Sequence, residues 1–141
     1  MTDTELLQAA KDAMQNAYAP YSGFSVGAAL LTADGRVFTG CNIENASFSL
    51  TACAERTALF KAVSEGCRRF SAIAVVGGRN GKCDSFATPC GACRQALSEF
   101  CGEAFRVVLG ADGGRMTVTT LGALLPGAFH LNQQEKNKGA G

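Results

Sequence analysis

Two short motifs contain the residue types and the spacing that metal chemistry needs. C-A-E occupies residues 53–55 and P-C-G-A-C occupies residues 89–93, each at the start of a predicted helix. The positive end of a helix dipole lowers the pKa of a thiol, and the thiolate is the form that binds metals. Three thiolates on one tetrahedral zinc leave the fourth position for water, as in a catalytic site, and Glu55 would stand beside that water without being a ligand. The predicted ligands are Cys53, Cys90 and Cys93.

Other uses of these cysteines are compatible with the sequence, because either motif alone is a weak signal in a chain with seven cysteines. Cys83 or Cys101 could supply a fourth thiolate and close a structural zinc site. Cys90 and Cys93 could form a redox pair. A non-catalytic, zinc-stabilised interaction module would keep the three cysteines but would have no need for Glu55. We interpret the other four as core or surface thiols; they are Cys41, Cys67, Cys83 and Cys101.

The elements that must position these motifs follow from periodicity, caps and turns. A helix capped at Thr2 runs toward Pro20, and Thr120 caps a last helical turn before Pro126. Further helices are predicted at 51–65 and, with Thr88 as N-cap, at 89–100, and strands at 24–32, 36–40, 70–76, 105–109 and 115–118. The order α-β-β-α-β-α-β-β-α predicts an α/β fold, a three-layer α-β-α sandwich around a mixed five-stranded sheet. Hairpins predict antiparallel neighbours, and the two βαβ crossovers predict parallel ones.

Length and composition predict one domain, residues 1–131, followed by a polar and flexible tail at 132–141. Hydrophobic residues make up 47% of the chain and charged residues only 18%, which predicts surface covered by copies of the chain. The net charge is +1 without a basic block, which disfavours nucleic-acid and membrane-surface partners. The acidic start has no signal-peptide pattern and the cysteine number is odd, so we expect a reduced, cytoplasmic compartment.

Four segments, taken in order and spacing, resemble one enzyme family. They are C-N-I-E-N-A-S at 41–47, C-A-E-R-T-A at 53–58, P-C-G-A-C-R-Q at 89–95, and L-L-P at 124–126 with Phe129. The chain is similar to the small homotetrameric cytidine deaminases over residues 3–130. The resemblance implies one zinc per subunit and hydrolytic deamination of cytidine and 2′-deoxycytidine to uridine and 2′-deoxyuridine with release of ammonia, a reaction of pyrimidine salvage. A nucleoside would be the small-molecule partner.

The resemblance also implies roles for single residues. Glu55 would take a proton from water, protonate N3 of the pyrimidine and relay a proton to the leaving ammonia. Arg56 would hydrogen-bond to the ligand sulfurs and offset the net negative charge of zinc with three thiolates. Ala54 would present backbone groups to the base. The remaining substrate contacts would be Phe24 as a wall, Asn42 and Glu44 on the ribose, and Phe129 from the neighbouring subunit.

The same residues are compatible with other functions and with purely structural roles. A related deaminase could act on a cytosine-nucleoside antibiotic, and a nucleic-acid editing deaminase is disfavoured by the near-neutral charge. Asn42 and Glu44 could serve only as turn and capping residues, and Phe129 could pack on its own subunit. Phe48 stands where family members often carry Tyr, so it is assigned no polar role. His130 is interpreted as a surface residue.

Overall fold

The computed structural model describes residues 1–131, so the tail predicted at 132–141 lies outside the described residues. It contains the nine predicted elements and one further short 3-10 helix at Phe48–Leu50. The helices are α1 (Asp3–Met14), α2 (Ala54–Ser64), α3 (Gly91–Ser98) and α4 (Leu121–Leu124). The strands are β1 (Phe24–Thr32), β2 (Val37–Cys41), β3 (Phe70–Arg79), β4 (Arg106–Ala111) and β5 (Arg115–Thr120). No helix within residues 1–131 is long and apolar enough to cross a membrane.

The five strands form one mixed sheet in the order β2-β1-β3-β4-β5. β3 and β4 are parallel neighbours, as the crossover through α3 predicts. The prediction for the other crossover was wrong: β1 lies between β2 and β3, and it pairs antiparallel with both. β1 carries a nearly continuous apolar run, which suits a central strand covered on both faces, and it has the hairpin partner at one edge and β3 at the other.

Both site helices begin later than predicted. α2 begins at Ala54 with Cys53 as N-cap, rather than at 51, and α3 begins at Gly91 with Cys90 as N-cap, rather than at Pro89 with Thr88 as N-cap. The reason at α2 is that Ala52 is held in an extended bridge to Ile43 by two backbone hydrogen bonds of 2.9 and 3.0 Å. Each motif therefore places a cysteine at the cap position itself.

The helices cover the two faces of the sheet, which confirms the three-layer architecture. α1 packs on one face with Ala29, Ala74 and Val108, while α2 and α3 pack on the other with Leu30, Ile73, Val75 and Val107. Glycine allows the closest approaches. A Cβ at Gly40 of β2 would lie only 2.5 Å from the carbonyl oxygen of Ala54, so the first turn of α2 rests directly on the sheet. That contact fixes the start of α2.

Candidate active site

The three predicted ligand cysteines meet where the N-termini of α2 and α3 face each other. Cys53 Sγ lies 3.6 Å from Cys90 Sγ, and Cys90 Sγ lies 3.3 Å from Cys93 Sγ. A tetrahedral zinc with bonds of about 2.3 Å separates its sulfur ligands by about 3.8 Å. All seven cysteines, which lie within the described residues, are free thiols. The donor set and its spacing therefore fit a zinc ion.

Positive charge surrounds these sulfurs. Both N-cap cysteines sit at the positive ends of helix dipoles, and Arg56 Nη2 donates to Cys53 Sγ at 3.4 Å. The pKa of Cys53 is lowered to about 5, first by a hydrogen bond from Cys93 and further by the Arg56 guanidinium. The buried Nε of Arg56 has no hydrogen-bond partner within residues 1–131. A cationic side chain with one unsatisfied donor beside three thiols suits a thiolate-ligated metal.

The alternative of a four-thiolate structural site finds no fourth sulfur. Cys53, Cys90 and Cys93 are the only potential ligands of residues 1–131 that cluster in a group of three or more. Cys83 lies on the α1 face of the sheet, where its thiol contacts Met14 Sδ at 3.8 Å. Cys101 lies beyond the C-terminal end of α3, in the core, whereas the ligands occupy the other end of that helix. Three clustered thiols without a fourth fit an open, three-ligand site better than a closed structural one.

Glu55 lies in the first turn of α2, two residues after Cys53, and is only 4% exposed. Burial raises the pKa of its carboxyl group. It is absent from the cluster of potential ligand atoms found in the described part of the chain. A buried carboxyl group beside a metal site, but outside its ligand set, can carry protons.

One cleft of about 350 Å³ joins the thiols to most of the predicted substrate contacts. Its walls contain the predicted residues Phe24, Asn42, Glu44, Cys53, Ala54, Glu55 and Cys90. They come from the start of β1, from the segment after β2 and from the two helix N-termini. Pockets for small ligands begin at about this volume. The structure thus brings together residues that are up to 66 positions apart in the sequence.

The side chains of Asn42 and Glu44 both form hydrogen bonds with nearby segments of their own chain, as the turn-forming alternative expects. Asn42 Nδ2 donates to the carbonyl oxygen of Phe24 at 2.8 Å. Glu44 Oε1 accepts from the amides of Tyr21 and Ser22 at 2.9 and 3.1 Å. The Ser22 hydroxyl also donates to Glu44, and this bond, followed by the backbone amides, lowers the pKa of the carboxyl group. One Nδ2 hydrogen of Asn42 and carboxylate lone pairs of Glu44 remain for a ligand hydroxyl.

Arg79 contacts Phe24, a residue of the cleft wall, and the sequence interpretation missed it. Its guanidinium lies 5.8 Å from the centre of the Phe24 ring, and Nη1 donates to the carbonyl oxygen of Ser22 at 2.5 Å. The pairing of Phe24 with Arg79 depends on the β1–β3 register. Sequence offers no signal for it without that register. The loop residues Thr51, Ala87 and Thr88 also line the cleft and were not predicted.

Phe129 is placed outside this cleft, and its side chain is 69% exposed. It does not pack into its own subunit, contrary to that alternative. Phe48 is 77% exposed and makes an edge contact with Tyr21, with 6.1 Å between ring centroids. His130 is partly exposed. These aromatic side chains lie at the surface of the chain, outside its core.

Comparison with known proteins agrees with this site. The family model for the cytidine and deoxycytidylate deaminase zinc-binding region matches residues 1–111. The chain is 52% identical over 125 residues to a cytidine deaminase of Sporosarcina psychrophila, covering 89% of each chain. It matches the crystal structure of a cytidine deaminase from Burkholderia pseudomallei with 54% identity and a TM-score of 0.83, covering 92% of this chain and all of that one. A blasticidin-S deaminase of Bacillus cereus is 32% identical over 136 residues, covering 92% of this chain and 94% of that protein. The chain belongs to the cytidine and deoxycytidylate deaminase family of zinc-binding proteins.

Proposed function

We propose that this protein is a zinc-dependent cytidine deaminase that converts cytidine and 2′-deoxycytidine to uridine and 2′-deoxyuridine and releases ammonia. The observation that carries the proposal is the single cleft that joins the thiol cluster, buried Glu55, and the side chains of Asn42 and Glu44. A metal site alone would suit many proteins. A metal site joined to a proton carrier and to hydroxyl-binding groups suits hydrolysis of a small polar ring attached to a sugar.

Cys53, Cys90 and Cys93 would hold the zinc, which when bound supplies Lewis-acid activation of water. The Glu55 carboxylate accepts a proton from the attacking water and donates it to N3 of the pyrimidine ring. Oxygen adds to C4, Glu55 takes the remaining proton of the added hydroxyl group and gives it to the amino nitrogen, and the C4–N4 bond breaks to leave the C4 carbonyl and release ammonia. The burial of Glu55 keeps bulk water from competing for these protons.

The nucleoside is held by groups on both sides of the reacting atom. Backbone amides of the first turn of α2, which begins at Ala54, have no intrahelical acceptor and can bind the base. The Phe24 ring, backed by Arg79, packs against the base, while Asn42 and Glu44 bind the ribose, chiefly its 3′-hydroxyl. Pyrimidine salvage is the process that such a reaction serves.

Assembly into a homotetramer would complete the site with Phe129 of a neighbouring subunit. Its support is the 69% exposure of Phe129 together with other exposed large apolar side chains: Tyr18, Tyr21, Phe48, Leu50 and Phe60. Sedimentation of the active enzyme tests the tetramer. Mixing Glu55→Gln chains with Phe129→Ala chains should restore activity if each defect affects a different pocket. A fully active monomer would contradict the shared site. Free thiols throughout suit a cytoplasmic location.

Loss of cytidine absorbance with purified protein tests the function. We expect turnover of cytidine and 2′-deoxycytidine, with ammonia released in equal amount to the uridine formed. A cytosine-nucleoside antibiotic such as blasticidin S is the matched comparison, because a blasticidin-S deaminase is among the relatives. Faster turnover of the antibiotic would replace this proposal with that activity. No turnover of either substrate by protein with one zinc per chain would contradict it.

A further inference from the structure

Arg94 and Gln95 follow the second cysteine pair directly and have no part in the chemistry described so far. Arg94 is half-buried and bridges two distant backbone carbonyls. Its Nε donates to the oxygen of Pro89 at 2.7 Å, and its Nη1 donates to the oxygen of Leu124 at 2.7 Å. Pro89 immediately precedes the ligand Cys90. One guanidinium therefore joins residues 89–90, which we call the metal loop, to segment 124–129.

Gln95 holds the same segment at its other end, because Nε2 donates to the carbonyl oxygen of Phe129 at 3.0 Å. Phe129 lies beyond the last regular secondary structure, because α4 ends at Leu124 and Gly127 turns the chain with a φ of +65°. Within residues 1–131, no backbone hydrogen bond outside helices and strands involves residues 126–131. Among the described residues, the side chain of Gln95 therefore supplies the hydrogen bond that holds the backbone of Phe129.

These two sets of hydrogen bonds tie the backbone that carries Phe129 to α3, the helix whose start also carries Cys90 and Cys93. α3 carries Cys93, Arg94 and Gln95 within its first turns, so the backbone of segment 124–129 cannot move away from this helix without breaking one of these bonds. An exposed aromatic ring that must enter a second subunit gains affinity when its backbone is already ordered, because ordering during binding costs free energy.

We propose that Arg94 and Gln95 are positioning residues: they clamp segment 124–129 to α3, so that each subunit presents Phe129 to its neighbour in a fixed relation to its own metal loop. This inference rests on the proposed function, in which Phe129 contacts the base bound in another subunit. It assigns a role to the R-Q pair that follows the cysteines.

Gln95→Glu is the sharpest single test, because Glu has the same shape but an ionised carboxylate cannot donate to the Phe129 carbonyl. Loss of one such hydrogen bond should raise KM for cytidine about three- to tenfold. The value of kcat and the zinc content should stay unchanged, since the ring does not touch the reacting atoms. Gln8→Glu on α1, at the opposite face of the sheet, makes the same charge change and should leave KM unchanged.

Combination with Phe129→Ala shows whether Gln95 acts through the ring. The double variant should have the KM of Phe129→Ala within about twofold, because the clamp has nothing left to position. Multiplied effects, or a normal KM in Gln95→Glu while Phe129→Ala is impaired, would overturn the positioning role alone. A normal KM in Phe129→Ala would instead contradict the shared site of the proposed function.

Two further variants keep the test valid if the carboxylate disturbs folding. Gln95→Met is close in size, also lacks the donor and should reproduce the rise in KM. Arg94→Lys keeps the charge, but a single ammonium group cannot span both carbonyl oxygens as the planar guanidinium does. It should raise KM and also speed the loss of zinc to a chelator at least twofold. Normal behaviour of both variants would overturn the proposal.

Discussion

The N-terminus of α1 differs from the N-termini of α2 and α3 in how its free amides are satisfied. At α1, Thr2 Oγ1 accepts from the amide of Glu5 at 3.1 Å, and Glu5 Oε1 accepts from the amide of Thr2 at 2.9 Å. Among the described residues, neither Cys53 nor Cys90 forms such a side-chain cap on its own helix. The first helix end is closed by its own sequence. The other two keep their amides and positive dipole ends for groups in the cleft.

That difference separates stability from function. A capping side chain contributes about 1 kcal/mol to a helix end, and α2 and α3 give this up. α2 is held instead by its close approach to Gly40. In return, the Cys53 thiolate is stabilised at the start of α2. We therefore expect the start of α1 to act only on helix stability, and the starts of α2 and α3 to act mainly on metal binding.

The largest effect is expected from removing a ligand sulfur. Cys90→Ser should lose nearly all zinc and all turnover, because two remaining thiolates and a neutral hydroxyl bind zinc poorly. Metal analysis of freshly purified protein measures this. Cys41→Ser, which changes a half-buried thiol outside the cluster, should keep one zinc per chain. Full zinc content in Cys90→Ser would show that the metal lies elsewhere.

A smaller effect is expected from Arg56→Ala, which removes the cation that donates to Cys53 Sγ. The zinc–thiolate group then keeps its net negative charge without compensation, and support of this kind changes metal affinity about 10- to 100-fold. The rate of zinc transfer to a chelator checks it. Arg69→Ala, an exposed arginine beyond the far end of α2, is the control and should behave as the unaltered protein. Equal rates of zinc transfer from Arg56→Ala, Arg69→Ala and the unaltered protein would show that Arg56 does not support the metal.

The smallest effect is expected from Thr2→Ala at the closed helix end. Loss of the capping box should cost about 1 kcal/mol, equivalent to about fivefold faster exchange of the protected α1 amides. Hydrogen exchange measures this locally. Turnover and zinc content should not change, because α1 covers the face of the sheet opposite the site helices. A drop in kcat/KM would mean that the two kinds of helix end are coupled.

Local chemistry made the thiol cluster and Glu55 predictable from sequence. Cysteines at helix starts, at spacings of one helix turn, leave few geometries, and the structure joins Cys53, Cys90 and Cys93 as expected. The helix starts predicted from the usual capping residues were wrong by two or three residues. Thr88-Pro89 is a typical cap sequence, yet Cys90 is the N-cap of α3. Where the helix end serves a metal, the usual preference for a hydroxyl cap no longer decides.

Long-range pairing could not be predicted in the same way. The antiparallel neighbours β1 and β3 come from strands separated by more than 35 residues, and their register places Arg79 on Phe24. The bonds from Arg94 and Gln95 likewise reach carbonyls about 30 residues away. Such contacts depend on how layers pack, which hydrophobic periodicity does not specify.

Zinc content and turnover of Glu55→Gln, measured side by side with the unaltered protein, test the central claim that the α2 and α3 helix ends hold a catalytic rather than a structural metal. The amide keeps the size of the side chain but cannot carry the proton, so turnover should fall at least about 100-fold. Zinc should stay at one per chain, because Glu55 is not among the clustered ligand atoms of the described residues. Retention of a substantial fraction of the original rate, with zinc in place, would contradict the account.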